Sequence, residues 1–243
     1  MQTFPSIEYI LISSLVLIIL FLSSYLIGIL DLKGTIAAVI FGGIVMFLDS
    51  MSWLAILVVF LLTSYFVTRY KFDYKKTANT SEGSDGKRHF SNVFYAGVMA
   101  LFIAVANFIS PSPYHYFILF SAAIASITAD TFGSEIGVVD PNTYLITTFK
   151  RVRTGTNGGI SVLGEFATLF GALIIGITYF LLSSSHNLVA GLVGVTMAGF
   201  AAAHVDSILG ATLENRNILN KGQVNFLASL SSVLIAIPFF IYF

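Results

Sequence analysis

The sequence predicts an all-α integral membrane protein, a polytopic transmembrane bundle of seven or eight spans forming a single domain over residues 1–243. Three observations carry that prediction. Composition is the first: 56% of the residues are hydrophobic and 10% are charged, against about 25% charged in soluble domains, and the mean hydropathy is +0.89. Length is the second: apolar runs approaching or exceeding the roughly 20 residues that cross about 30 Å of hydrocarbon follow one another through the chain. Charge placement is the third: the twelve Lys and Arg residues fall only in alternate gaps between those runs.

In chain order the runs are 7–30, 34–48, 52–68, 92–109, 114–130, 160–182, 188–209 and 223–242. The first is longer than a signal-peptide core and has no basic stretch before it, so it reads as a retained helix rather than a cleaved leader. The second is short for a full crossing, and whether it spans decides between seven and eight. Orientation follows from the cations, because cytoplasmic loops retain positive charge. Lys33 follows the first run; Arg69, Lys71, Lys75, Lys76, Lys87 and Arg88 the third; Lys150, Arg151 and Arg153 the fifth; Arg216 and Lys221 the seventh. With eight spans all of them share the cytoplasmic face, and both termini lie outside. Residues 69–91 include a Ser-, Gly-, Thr- and Asn-rich stretch with the composition of a flexible tether. That loop is therefore expected to be a flexible cytoplasmic connection that contributes little to activity.

The residues able to do chemistry collect on the same face. Of the twelve acids, only Glu8 and Asp49 fall on the other side, and acids near the hydrocarbon boundary are costly and usually functional. Asp130 closes the fifth run, with Ser134 and Glu135 just beyond; Asp206 and Glu214 follow the seventh, on one face if that helix continues through Gly210. Carboxylates at the ends of separate helices suit Mg²⁺, a hard ion that takes oxygen ligands; solvated helix-end charges are the plainer alternative. Between these sets runs Lys150-Arg151-Val152-Arg153-Thr154-Gly155-Thr156-Asn157-Gly158-Gly159-Ile160-Ser161, basic first, then Gly-rich, then opening a helix. Backbone N–H groups at a helix N-terminus, approached closely through glycines, suit a phosphate. An ordinary positive-inside turn has the same look, and the stretch is not a Walker A sequence. Glu165 is either a buried functional acid or the partner of one of these cations. Asp31 and Lys33 bracket a tight turn and are expected to pair. Arg88 and Asn92, one helical turn apart, offer a catalytic contact or one to a lipid headgroup. His204 has no His or Cys partner at ligand spacing, which favours a hydrogen-bonded packing role over metal binding.

Several classes are excluded. The absence of cysteine removes disulfides, thiolate catalysis and Cys-based zinc sites. No basic stripe interleaved with aromatic residues appears, so nucleic-acid binding is not expected.

Three blocks, Asp130-Thr131-Phe132-Gly133-Ser134-Glu135-Ile136-Gly137, Gly155-Thr156-Asn157-Gly158-Gly159-Ile160-Ser161 and Asp206-Ser207-Ile208-Leu209-Gly210-Ala211-Thr212, occur in this order. Together they resemble the integral membrane family that includes plant phytyl-phosphate kinase, formerly a family of unknown function. Weaker similarity at 31–43 and 87–97 extends the resemblance over nearly the whole chain apart from the tether. The family is similar in general plan to dolichol and phytol kinases, which favour CTP. Glu214 stands where a Gln is more typical of the family.

The resemblance implies nucleotide-dependent phosphorylation of an isoprenoid (prenyl or phytyl) monophosphate to the diphosphate at the cytoplasmic face, with the apolar chain between helices open to the bilayer. On that reading Asp130, Glu135 and Asp206 are the catalytic acids and bind Mg²⁺ or another divalent cation. Lys150, Arg151 and Arg153 hold the phosphates of CTP or another nucleoside triphosphate. Gly155, Thr156, Asn157, Gly158, Gly159 and Ser161 cradle the acceptor or transferred phosphate, and Arg88 and Asn92 add a further phosphate contact. No strong base is required, because a monophosphate acceptor is already ionised and phosphoryl transfer depends mainly on positioning and charge neutralisation. Two other classes fit similar groups: a transporter or flippase of a lipid phosphate or small anion, since broken helices and Gly-rich half-helix ends build transport sites, and a CDP-lipid-forming cytidylyltransferase.

Overall fold

The computed structural model describes residues 6–81, 87, 90–185 and 187–242, with the backbone alone at 91, 92, 96, 113, 114 and 240–242. Among the described residues eight apolar helices build an all-α membrane bundle: α1 (Ile7–Ile27), α2 (Leu32–Leu48), α3 (Met51–Arg69), α5 (Phe90–Ile109), α6 (Pro113–Gly137), α7 (Val162–Leu182), α8 (Leu188–Leu209) and α9 (Lys221–Tyr242). A short helix, α4 (Phe72–Thr77), follows α3. Six helices are long and apolar enough to cross a membrane, and α2 and the Val93–Ile109 stretch of α5 are apolar but shorter. The predicted class holds.

Local chemistry sets several boundaries. Ser6 caps α1 by accepting from the Tyr9 N–H, and Gly28 ends that helix in the left-handed conformation, φ 75°, which glycine adopts without strain. Asp31 caps α2: its Oδ1 accepts from the Gly34 N–H at 2.6 Å. The first-turn N–H groups of a helix need an acceptor, and this carboxylate supplies one.

Helix α6 is the axle of the bundle, packed against α3, α5, α7, α8 and α9. Lipid tails remove the hydrophobic drive for helices to associate, so close packing of small residues holds the bundle together. Gly164 of α7 meets Gly137 of α6, and Gly199 of α8 meets Ala125. Ser229 and Ser232 of α9 donate to the carbonyls of Ala123 and Ala122 at 3.3 and 2.7 Å. Helix α1 packs on α2 and leaves Leu11, Leu15, Ile18 and Leu22 exposed for lipid.

Two ends of the bundle differ in chemistry. At one end Asp49 accepts a hydrogen bond from Asn107 of α5 at 2.6 Å, and Asn107 accepts from the Ser112 N–H. The other end collects the connections that carry the described cations; the Lys87 side chain, for instance, lies against Gly28.

Three features differ from expectation. Helix α6 runs on to Gly137, so Asp130 lies inside the helix rather than closing it. Helix α8 passes into a π-helical turn, Gly210–Glu214, whose wider coil breaks the α-helical register assumed for Asp206, Gly210 and Glu214. Within the 69–91 loop, read as a flexible tether, α4 forms and Lys75 is fully buried. A buried ammonium needs anionic or carbonyl partners, and their presence anchors this part of the loop.

Candidate functional site

A cavity of about 420 Å³ opens at the cation-bearing end, within the roughly 300–1,000 Å³ usual for small-molecule sites. Its walls come from α6, α7, α8 and α9, from the loop joining α6 to α7, and from residues 79–81 after α4.

Three of the five acids on these walls, Asp130, Asp206 and Glu135, fall into two groups. Asp130 and Asp206 reach the cavity from α6 and α8, two helices packed on each other, near enough for each carboxylate to feel the other's charge. Asp206 is 5% exposed, and its Oδ2 is buried with no hydrogen-bond partner. Lys221 of α9 places its Nζ 4.0 Å from Asp130 Oδ2. Glu135 is equally buried but turns elsewhere, accepting from Lys75 Nζ at 2.5 Å and from the Thr68 hydroxyl at 3.2 Å. Lys75 also donates to the Val67 and Thr68 carbonyls at the C-terminal end of α3, at 3.1 and 2.8 Å. Five positions along an α-helix rotate a side chain by about 140°, so an unbroken α6 sends Asp130 toward α8 and Glu135 toward α3 and α4. The three acids expected to act as one cation site therefore do not converge. Among the described residues no group of three His, Cys, Asp or Glu side chains gathers at metal-binding spacing.

The Gly-rich loop lies where the motif predicts but is built differently. Strand β1 (Tyr144–Leu145) pairs antiparallel with β2 (Gly159–Ile160), folding the basic stretch into a hairpin. Gly155 and Gly158 have φ of 85° and 75°. A side chain at Gly158 would collide with the Ser207 carbonyl and with Ala211, so this glycine seats the loop on the end of α8. Thr156 donates through its hydroxyl to the Arg153 carbonyl at 2.6 Å, and its own carbonyl accepts from the Gly159 N–H at 2.8 Å. The Asn157 carbonyl accepts from Asn215. Ser161 caps α7, accepting from the Gly164 N–H at 3.1 Å and donating to the Gly137 carbonyl at 3.2 Å. Residues 155–161 all line the cavity, but several of their polar groups are already engaged within the protein.

The expected cations do not join them. Lys150, Arg151 and Arg153 are exposed and absent from the cavity wall; the Arg151 guanidinium instead donates to the Pro141 carbonyl and Asn142 Oδ1. The hairpin turns these side chains outward, a direction that charge and spacing alone do not encode. Arg88 and the Asn92 side chain lie outside the described residues.

Residues 15–233 match the integral membrane protein DUF92 family. The chain belongs to that family. It is 31% identical to the uncharacterized membrane protein MJ0933 of Methanocaldococcus jannaschii over 210 residues, covering 86% of this chain and 84% of the relative. It is 30% identical to Protein PGR of Arabidopsis thaliana over 211 residues, covering 76% and 72%. The uncharacterized membrane protein sll0875 of Synechocystis is 32% identical over 155 residues, covering 62% and 58%. No solved structure matches the chain. The sequence blocks named above lie within the matched region of this DUF92 protein.

Sequence reasoning missed four residues of this DUF92 cavity region. Lys221 and Asn225 open α9 one turn apart and line the wall, and the Asn225 Oδ1 is buried without a partner. A polar Asn at the start of an apolar helix was the available signal. Lys75 gave none, because its partner lies 60 positions away. Thr80 presses on Gly155 and lines the cavity, so the stretch read as a tether supplies part of the site. Glu165, also on the wall, finds its partner in His204 rather than in the basic cluster: Nε2 lies 2.8 Å from Glu165 Oε2, while Nδ1 lies 2.8 Å from the Phe200 carbonyl. A carbonyl only accepts, which fixes Nδ1 as a donor. The second contact therefore needs one more proton, on Nε2 or on Glu165. His204 thus has the hydrogen-bonded role that the sequence favoured.

Proposed function

We propose that this DUF92 protein is a nucleotide-dependent kinase that phosphorylates an isoprenoid monophosphate to the diphosphate. The observation that carries the reading is the meeting of Asp130 and Asp206, acids from separate apolar helices, in a polar cavity walled by a Gly-rich loop at the helix ends. A phosphorylated lipid keeps its chain among apolar side chains and offers only its head at such a boundary. The cations of the α1–α2, α3–α5, α6–α7 and α8–α9 connections support taking this end as cytoplasmic.

Asp130 and Asp206 offer only acceptor oxygens, one of them buried without a donor, and that donor set fits a hard divalent cation such as Mg²⁺. Bound there, the cation would supply charge neutralisation on the phosphates. Asp130 and Asp206 orient the site from adjoining helices, and Lys221 adds a positive charge at its rim, 58% exposed along its side chain. Glu135 stands outside this set. Lys150, Arg151 and Arg153, at the hairpin, attract the nucleotide polyanion toward the opening rather than gripping it. The monophosphate acceptor is already ionised, so the protein needs no base. A separate apolar cavity of about 90 Å³ is lined by Leu57, Leu61, Ala100, Leu101 and Ile124. Ile124 is one helical turn from Ile127 on the polar cavity's wall, so the two cavities share one stripe of α6, and this one suits part of the prenyl chain.

The test is turnover by purified protein supplied with CTP, ATP and a panel of prenyl phosphates, with prenyl diphosphate as product. Release of CDP rather than pyrophosphate from CTP separates the kinase from a CDP-lipid-forming cytidylyltransferase. No product with any donor, together with lipid-phosphate flux in proteoliposomes, would replace this reading with transport.

A further inference from the structure

We propose that Asn225 is the third ligand of a hard divalent-cation site formed with Asp130 and Asp206, complete before any nucleotide arrives. The inference rests on the cation half of the reading above, and it changes the membership of the site: α9 contributes and Glu135 does not.

Two orphaned oxygens point to it. Asp206, nine-tenths buried, shares a cavity wall with Asp130 and feels its charge, and its Oδ2 has no donor. Two neighbouring carboxylates, one of them buried, repel unless a proton or a cation lies between them. Asn225 distinguishes these two possibilities. Its Oδ1 is also buried without a donor and lies on the same cavity wall. An amide oxygen does not take up a proton near neutral pH, so a proton held between the acids would leave it unsatisfied. A cation held at this wall would offer a partner to all three groups. The donors are oxygens from α6, α8 and α9, which selects Mg²⁺, Mn²⁺ or Ca²⁺ over softer metals. The nearby imidazole is already engaged with Glu165. Lys221, 4.0 Å from Asp130, balances part of the negative charge.

The experiment is an Mn²⁺ titration of the purified full-length protein in detergent, followed by the loss of the free-ion electron paramagnetic resonance signal, with no nucleotide or lipid phosphate present. The expected result is one Mn²⁺ per chain, displaced by Mg²⁺. Asp206→Asn and Asn225→Ala should each weaken binding about tenfold or more. Asn225→Asp, which keeps an oxygen at the position, should bind at least as tightly as the parent, and Glu135→Gln should be unchanged. Monodispersity on size exclusion checks the fold of each variant, and Asn225→Asp keeps the assignment testable if Asn225→Ala does not fold. Parent affinity in Asn225→Ala, weaker binding in Asn225→Asp, or no Mn²⁺ bound by the parent would each overturn the assignment. Mn²⁺ binding with this pattern but without phosphoryl transfer would leave the cation site standing and remove the kinase reading. Turnover without Mn²⁺ binding in the absence of nucleotide would do the reverse.

Discussion

Glu135 and Asp206 are equally buried, each 5% exposed, and both reach the wall of one cavity, yet their surroundings are opposite. At the corner of α3, α4 and α6, Glu135 receives an ammonium and a hydroxyl, and the same ammonium caps the carbonyls ending α3. At the corner of α6, α8 and α9, Asp206 meets another carboxylate and leaves one oxygen without a donor. Burial is therefore not what separates an architectural acid from a functional one. The separation lies in whether its partners are complete, because a compensated charge holds the fold while an uncompensated one is costly until something binds.

The largest expected effect breaks the compensated corner. Lys75→Met strands Glu135 as a buried, unpaired charge and removes three donated hydrogen bonds. Loss of one partner of a buried pair costs about 3–5 kcal/mol, so thermal unfolding in detergent should show a large drop in Tm. Adding Glu135→Gln should recover much of it, because the stranded charge disappears. A Lys75→Met protein with the parent Tm and no turnover would show that this corner is functional, and the contrast would collapse.

At the uncompensated corner the pattern should invert. Asp206→Asn keeps the shape but removes one of two facing charges, so Tm should hold or rise. Loss of an electrostatic contact made in the transition state lowers turnover roughly a hundredfold, about 3 kcal/mol. Normal turnover at limiting Mg²⁺ would return Asp206 to an architectural role.

How much of this was legible in the sequence follows from the range of each interaction. The eight apolar segments were readable because span length and hydropathy are local, and so was the sorting of Lys and Arg into alternate connections. The blocks around Asp130, Gly158 and Asp206 were readable as components, and the cavity brings them together. Their pairing was not. Asp130 and Glu135 stand five positions apart in one block, and an unbroken α6 turns the two apart. Lys75 sits beside a polar, tether-like stretch whose composition conceals a contact to α6. Lys150, Arg151 and Arg153 advertise charge but not direction, and the hairpin faces them outward. Asn225 gives only the weak signal of one amide at the start of an apolar helix, with no motif around it.

A smaller effect is expected at the loop that lies between the two corners. Gly158 has φ 75°, and a side chain there would meet the Ser207 carbonyl and Ala211. Gly158→Ala should cost about 1–3 kcal/mol from the strained backbone alone and push the loop off the end of α8, beside Asp206. The expected readout is a rise in KM for nucleotide together with a moderate drop in Tm. An unchanged KM would detach the loop from the open corner.

The smallest effect sharpens the comparison with a third acid at the far end of the bundle. Asp49 is half-buried and intermediate in kind: Asn107 donates to its Oδ1 at 2.6 Å, while its Oδ2 has no partner. Burial pushes its carboxyl up to about 6, with the Asn107 hydrogen bond acting against the rise. The folded protein then keeps a proton on Asp49 at pH values where the unfolded chain, near 3.8, has lost it. That contribution to stability is full below the unfolded value and disappears as pH rises through about 6. Solvent screening at a half-exposed site reduces it to about 1 kcal/mol, or about 2–4 °C in Tm for a domain of this size. The measurement is Tm across pH 4 to 7.5 for the parent and for Asp49→Asn, in which the other titrating groups cancel. The parent should lose more Tm over that interval than the variant. Parallel curves would mean that the Asn107 hydrogen bond compensates Asp49 fully, which would place it with Glu135 rather than partway toward Asp206.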